Sequence, residues 1–196
     1  MKVFGIYGSP RRGGNSDRLL EECLRGAREA GAEVETVRPA EMKIAGCRAC
    51  EACAKTGECV IADDMQGVYS LLDSAERLVM AAPIFFYSFP AQLKALIDRG
   101  QSRWSRRLLP EKFPASAGQK RLGYLIAVGA TRGRNLFEGA ELTARYFFEA
   151  LGVKYCRGLF CRQLDEKGAV ERQPQLLAQA RGLGQRLVES ADCVGP

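Results

Sequence analysis

Four of the chain's eight cysteines crowd into "GCRACEACAKTGECV" (46–60): Cys47, Cys50, Cys53 and Cys59. Thiols this close can form disulfides, ligate zinc, exchange electrons as a dithiol pair, or hold an iron–sulfur cluster. Structural zinc usually takes two separated C-x2-C pairs, which suits the spacing C-x2-C-x2-C-x5-C less well. Thiol–disulfide chemistry needs two cysteines and leaves the other pair without a task. Four cysteine thiolates are the usual ligands of an iron–sulfur cluster, and C-x2-C-x2-C lets three of them wrap one corner of a cube. Cys59 returns after only five residues as a local fourth donor, with Lys55-Thr56-Gly57 supplying the turn. Gly46, Ala49 and Ala52 keep the surroundings small. Zinc and redox thiols stay open as alternatives. Each of the other cysteines, Cys23, Cys156, Cys161 and Cys193, reads as a lone core hydrophobe or surface thiol.

What surrounds this loop narrows the chemistry. The 196 residues contain no histidine, which removes the commonest general acid/base, the Ser-His-Asp and Cys-His mechanisms and His-ligated metals. Hydrophobic residues make up 46% and charged residues 27%, an ordinary globular balance rather than a disordered one. A net charge of +6 suits anionic ligands or an acidic partner, or simply a mildly basic surface. The N-terminus "MKVFGIYGSP" lacks the long apolar core of a signal peptide. No apolar run approaches the roughly 20 residues that span a bilayer. A cytoplasmic protein with reduced thiols and neither a membrane nor a nucleic-acid partner is therefore expected.

The elements that must position these residues alternate. Apolar runs at 2–8, 33–39, 77–86, 121–130 and 153–161 read as strands, the third as one buried on both faces. Helical patterns fill 16–30, 63–75, 90–104, 136–151 and 173–190, with Ser16 or Asn15 capping the first and Asp63 or Asp64 opening the second. This is an α/β chain with a parallel sheet, read as one domain over 1–196. Residues 105–120 are loop-like and basic, suited to a mobile flap, a subunit contact or a plain solvated connection.

Ligands of an open parallel sheet sit beyond the carboxyl ends of its strands. The loop after the first strand, "GSPRRGGNSDRLL" (8–20), lacks the P-loop and GxGxxG patterns but has the parts of a phosphate cup. Ser9, Asn15 and Ser16 supply donors, Gly13 and Gly14 permit close approach, Arg11 or Arg12 adds charge, and a helix N-terminus follows. After the third strand, Phe85, Phe86 and Tyr87, followed by Ser88, suit a flat heteroaromatic ring or an ordinary packed strand end. After the fourth, "AVGATRGRN" (127–135) puts the small residues Gly129, Ala130 and Thr131 where a backbone can approach a ligand. Arg132 and Arg134 there read as solvated, or as contacts to a nicotinamide nucleotide.

"GIYGSPRRGGNSDRLL", "AAPIFFYSFPAQLKALIDR" and "AVGATRGRNLFEGA" together resemble the NAD(P)H-dependent FMN reductase family of flavodoxin-like proteins. The resemblance implies a three-layer sandwich whose five-stranded parallel sheet has the order 2-1-3-4-5, with the cysteine-rich loop inserted after strand two. It implies FMN phosphate at Ser9, Arg11, Asn15 and Ser16, and the flavin ring along Pro83, Ile84, Phe85, Phe86, Tyr87 and Ser88, with Gly129 closing the third side. Among these proteins the iron–sulfur flavoproteins resemble this chain in the FMN loops and also carry a compact cysteine motif at this point. That similarity implies a [4Fe–4S] cluster on Cys47, Cys50, Cys53 and Cys59, and a homo-oligomer, dimer or tetramer, in which one subunit's cluster approaches another's flavin.

An electron-transfer oxidoreductase is the function expected, passing electrons between a ferredoxin-like or NAD(P)H donor and a carrier or small-molecule acceptor. No side-chain acid or base is required, so no catalytic residue is named beyond the cluster ligands. Two alternatives are an NAD(P)H-dependent FMN or quinone reductase without a working cluster, and a non-enzymatic flavodoxin-fold module.

Overall fold

A computed structural model of the chain describes residues 1–113 and 120–193. Its strands are β1 (Lys2–Tyr7), β2 (Glu33–Val37), β3 (Arg77–Pro83), β4 (Leu122–Val128) and β5 (Lys154–Cys161). Its helices are α1 (Asn15–Glu29), α2 (Ala52–Thr56), α3 (Met65–Ser74), α4 (Ala91–Arg99), α5 (Gln101–Arg107), α6 (Glu138–Ala150) and α7 (Pro174–Glu189). All neighbouring strands are parallel and the sheet order is β2-β1-β3-β4-β5, as expected. The chain leaves β1 toward one edge and returns beside it as β3, so the crevice for a ligand opens at the carboxyl ends of these two strands.

Alternate residues of each central strand feed two cores. Phe4, Ile6, Leu78 and Met80 face α3, α4 and α6, while Val3, Val79 and Ala81 face α1 and α7. Cover on both faces is why β4 is buried along its whole length and reads as a continuous apolar run. Helices α1 and α7 pack backbone against backbone: a Cβ on Gly184 would overlap the carbonyl of Cys23, and one on Gly26 would overlap that of Arg181.

Several boundaries differ from expectation. The third strand stops at Pro83, and residues 84–88 leave the sheet. The helix expected at 90–104 is interrupted at Gly100 and resumes as α5. Neither Asn15 nor Ser16 caps α1; Gly14 stands at that position and Asn15 opens the helix. Cys156 and Cys193 are not lone thiols, because they form a disulfide that ties the segment after α7 to β5. In the 105–120 stretch, residues 114–119 lie outside the described residues. The described part is no free connection: Phe113 fills the space beside Gly57, and Lys112 Nζ donates to Lys55 O, so it braces the cysteine loop. Among the described residues no helix is long and apolar enough to cross a membrane.

The α1–α7 contact yields a test. Gly184→Ala should gain up to about 1 kcal/mol of helix propensity yet lose roughly 1–3 kcal/mol to overpacking. A lowered urea midpoint is expected; an unchanged or raised midpoint would show that the helices have room.

Candidate functional site

The loop after β1 is drawn tight by its own side chains. Ser9 Oγ accepts from the Arg11 N–H at 3.1 Å and donates to Arg11 O at 3.2 Å. Asp17, fully buried, accepts from the Gly13 N–H at 2.9 Å and pairs with Arg38 Nη2 at 2.8 Å. Arg38 also donates to Ser9 O and lies over the Tyr7 ring, 4.5 Å from its centre. Burial, with Glu21 and Asp17 close by, pushes the Tyr7 hydroxyl above its ordinary pKa. Asp17 and Arg38 thus shape the loop, and neither was anticipated, because a helix-start aspartate and a strand-end arginine carry no signal that they meet.

Around this loop lies a cavity of about 320 Å³ beyond the strand ends. Ser9, Arg11, Asn15, Ser16, Pro83, Ile84 and Phe85, all expected ligand contacts, line it together. Of the two candidate arginines only Arg11 does so; Arg12 turns away to Glu41. Asn15 lines the cavity with its side chain already engaged. Its amide donates to Leu164 O at 3.2 Å and Glu166 O at 2.8 Å, and its Oδ1 accepts from Val170 N–H at 3.1 Å. The residue therefore fastens the loop after β5 to the cup, and the first-turn backbone N–H groups of α1 are the donors without intrahelical acceptors. Leu164 and Asp165 from that fastened loop join the lining, which the sequence reading missed. Gly129 does not itself line the cavity; its neighbours Val128 and Ala130 do. Its place against Leu136 leaves no room for a Cβ.

The aromatic segment after β3 forms a tight reversal. Phe85 and Ser88 exchange both backbone hydrogen bonds, 3.0 and 2.9 Å, across Phe86 and Tyr87. Both central residues have positive φ, 50° and 61°, as in the hairpin turns that Asn-Gly normally makes. Each bulky residue there costs on the order of 1–2 kcal/mol. Phe86, Tyr87 and Ser88 do not line the cavity. Phe86 projects fully into solvent, and Tyr87 rests on the loop after β4, its hydroxyl beside Gly133.

The cysteine loop has a different foundation. Backbone from 43 to 51 has no regular structure, and Ala49 and Glu51 adopt positive φ of 49° and 60°. Its two ends are joined by Arg99, whose side chain is fully buried. Nη1 donates to Ala45 O at 2.9 Å and Asp63 Oδ2 at 2.7 Å; Nη2 donates to Ile61 O at 3.3 Å and Asp63 Oδ1 at 3.1 Å. Asp63 in turn accepts from the N–H groups of Ala45 and Met65. Partial burial works to raise the Asp63 pKa, but Arg99 and these backbone donors outweigh it and hold the carboxyl below its ordinary value. Burial likewise opposes the Arg99 charge and is outweighed chiefly by the bonds to Asp63, so the guanidinium titrates above its usual range. On the same helical face Arg103 and Arg106 both pair with Asp73.

Held this way, Cys47, Cys50, Cys53 and Cys59 are all free thiols lining one cavity of about 470 Å³. Arg99, Gln101, Ser102 and Ser105 complete its floor. Among the described residues no three cysteine or carboxylate side chains are placed to hold a single metal ion. Cys23 and Cys161, by contrast, are core thiols whose pKa burial pushes up to about 12.

The five-stranded sheet with ligand-sized space at its carboxyl edge defines a flavodoxin-like protein. The chain belongs to the NADPH-dependent FMN reductase family, whose model matches residues 1–153. It is 39% identical over 132 residues to an iron–sulfur flavoprotein of Methanosarcina thermophila, covering 67% of this chain and 65% of that protein. An iron–sulfur flavoprotein of Archaeoglobus fulgidus is 36% identical over 116 residues, covering 59% of this chain and 53% of its own length. The chain thus spans less than two thirds of these relatives. The fold is shared with the NAD(P)H:quinone oxidoreductase of Methanothermobacter marburgensis at a TM-score of 0.70 and 18% identity, over 95% of this chain and 96% of that one.

Two substitutions probe this geometry. Asp63→Ala leaves the Arg99 charge buried without its partner and should cost about 3–5 kcal/mol in urea unfolding. Because the folded-state pKa of Asp63 is depressed, wild type keeps this contribution above the ordinary value of 3.8 and loses it as pH falls through the lower folded-state value. The variant should lack the contribution at every pH; equal stabilities at neutral pH would refute the pairing's role. Phe86→Gly removes a strained, unpacked ring, so stability should stay within about 1 kcal/mol of wild type. A much larger loss would show that the ring is covered.

Proposed function

We propose that residues 1–196 form one FMN-binding domain that works as a flavin-dependent electron-transfer oxidoreductase, with a [4Fe–4S] cluster in the loop 46–60. The observation that carries this reading is the pair of cavities: one lined by the phosphate-cup and strand-end residues, the other by all four clustered thiols. Family membership supports the flavin, and the similarity to iron–sulfur flavoproteins supports the cluster.

The residues fit both groups. Four unpaired thiols share one cavity, and cluster ligation attaches each to a separate iron rather than drawing all to one ion. In the other cavity, Ser9, Ser16 and the first-turn N–H groups of α1 would meet the phosphate, with Arg11 opposing its charge. Asn15 would hold the wall of that cup. Pro83, Ile84 and Phe85 would flank the ring, while Phe86, Tyr87, Ser88 and Gly129 stand outside the cavity lining. Bound flavin handles electrons in pairs or singly and a cluster handles them singly, so together they join a two-electron donor to a one-electron carrier. The chain needs no acid or base for this step, in keeping with its lack of histidine. NAD(P)H or a ferredoxin-like protein would be the donor, and a carrier protein or small molecule the acceptor; the net charge of +6 suits an acidic carrier. A homo-oligomer would bring cluster and flavin of different subunits together.

Anaerobically purified protein should contain about four irons and four sulfides per chain with one FMN. Cys50→Ala should abolish the broad cluster absorbance and EPR signal while FMN remains. Ser16→Ala combined with Arg11→Ala should weaken FMN binding by roughly tenfold for each 1.4 kcal/mol lost and spare the cluster. Protein lacking both groups after anaerobic reconstitution would refute the reading, and one zinc in place of iron would refute its cluster. Rapid reduction by NAD(P)H in stopped-flow, rather than by a reduced ferredoxin, would identify the donor.

A further inference from the structure

Ser105 lies in α5, 3% exposed, on the floor of the cysteine cavity. A serine inside a helix commonly turns its hydroxyl back to the carbonyl four residues earlier. Here the hydroxyl instead donates to Cys53 Sγ at 3.5 Å. The donor is held rigidly. Helix α2, which carries Cys53, is clamped to α5 by Arg106, which donates to Gly57 O at 3.1 Å and pairs with Glu58. Phe113, stacked under Arg106, fills the space beside Gly57. Close by, the Nε–H of buried Arg99 has no partner among the described residues. The floor therefore places one fixed hydrogen-bond donor, the Ser105 hydroxyl, on a wall thiol.

We propose that Ser105 is a positioning residue for Cys53, and that its O–H···S bond raises the reduction potential of the group the four cysteines hold. The inference rests on the cluster reading above. Adding an electron to a thiolate-ligated centre adds negative charge, which spreads onto the ligand sulfurs. A donor fixed on one sulfur stabilises that reduced state more than the oxidised one. The hydroxyl does so without adding a charge that a neighbouring carboxylate would cancel, as Asp63 does for Arg99.

The test is an EPR-monitored redox titration of anaerobically prepared wild-type, Ser105→Ala and Ser105→Thr proteins, each assayed for iron, sulfide and FMN. Ser105→Ala should keep its iron and FMN but show a cluster midpoint shifted to more negative potential, with the flavin midpoint unmoved. Ser105→Thr, which retains the hydroxyl, should restore the wild-type value. Loss of iron from Ser105→Ala but not from Ser105→Thr would equally support the hydroxyl's role in holding Cys53. An unmoved or more positive midpoint in Ser105→Ala would overturn the inference while leaving the cluster reading intact. So would loss of iron from both variants, since it would mark packing rather than the hydroxyl. Wild-type protein that takes up no iron and sulfide overturns both.

Discussion

The buried Arg99–Asp63 pair is the constraint on which the cysteine loop depends. Between Met42 and Glu51 the chain makes no helix or strand, so no ladder of backbone hydrogen bonds holds it. The neck is closed by the Lys43–Asp64 hydrogen bonds and by one guanidinium, which takes the carbonyl just before the first cysteine and the carbonyl shortly after the last. Asp63 completes the closure by accepting the N–H of Ala45. The pair is poor evidence of stability for its own sake, since a well-packed hydrophobic pair can do as well in a core. Its value here is geometric. A planar fork with several fixed donors sets the separation of two loop ends as no aliphatic contact would.

The same face of the helical segment continues the pattern. Arg99, Arg103 and Arg106 recur at helical spacing, and each meets a carboxylate from α3 or the loop: Asp63, Asp73 and Glu58. Arg103 also covers the Tyr69 ring at 3.8 Å, and Tyr69 donates to Arg99 O. These cations are committed internally. The net positive charge of the chain must therefore come from elsewhere on the surface.

The fold was legible in the sequence because its strongest signals are local. Parallel strands covered on both faces must be apolar throughout, and the intervening amphipathic helices keep their own period. The grouping of Ser9 and Ser16 with Phe85 followed from the rule that places ligands at strand ends, while the choice of Arg11 and the addition of Pro83 and Ile84 came from the resemblance to the FMN reductases. What escaped was non-local or chemically unusual. Asp63 reads as a helix start and Arg99 as the interior of a helix over 90–104, and nothing in either shows that they meet across 36 residues. Phe86 and Tyr87 read as the end of a strand, because aromatics are strand formers and rarely occupy a turn with two positive φ angles. Asn15 reads as a cap or a donor, whereas its amide is spent on a loop about 150 residues away. The Cys156–Cys193 bridge was hidden for the same reason, since two isolated cysteines carry no pairing signal.

Helix α4 links the two cavities. Near its N-terminus, Leu93 packs where Gly8 leaves no space for a Cβ, so this helix sets the base of the phosphate cup. Its last residue, Arg99, closes the neck of the cysteine loop. The six residue steps from Leu93 to Arg99 rise about 9 Å along the helix axis. That length is rigid, because Leu93 and Leu96 are buried against the sheet and Tyr69 holds the carbonyl of Arg99. The strained aromatic turn enters the helix from one end, and α5, with Ser105, leaves from the other. A loop with little structure of its own is thereby given a fixed relation to the strand-end cavity. The proposed electron transfer would impose such a requirement, since it needs fixed separations between its centres and little chemistry from side chains. The chain would meet it with one short helix and one buried arginine.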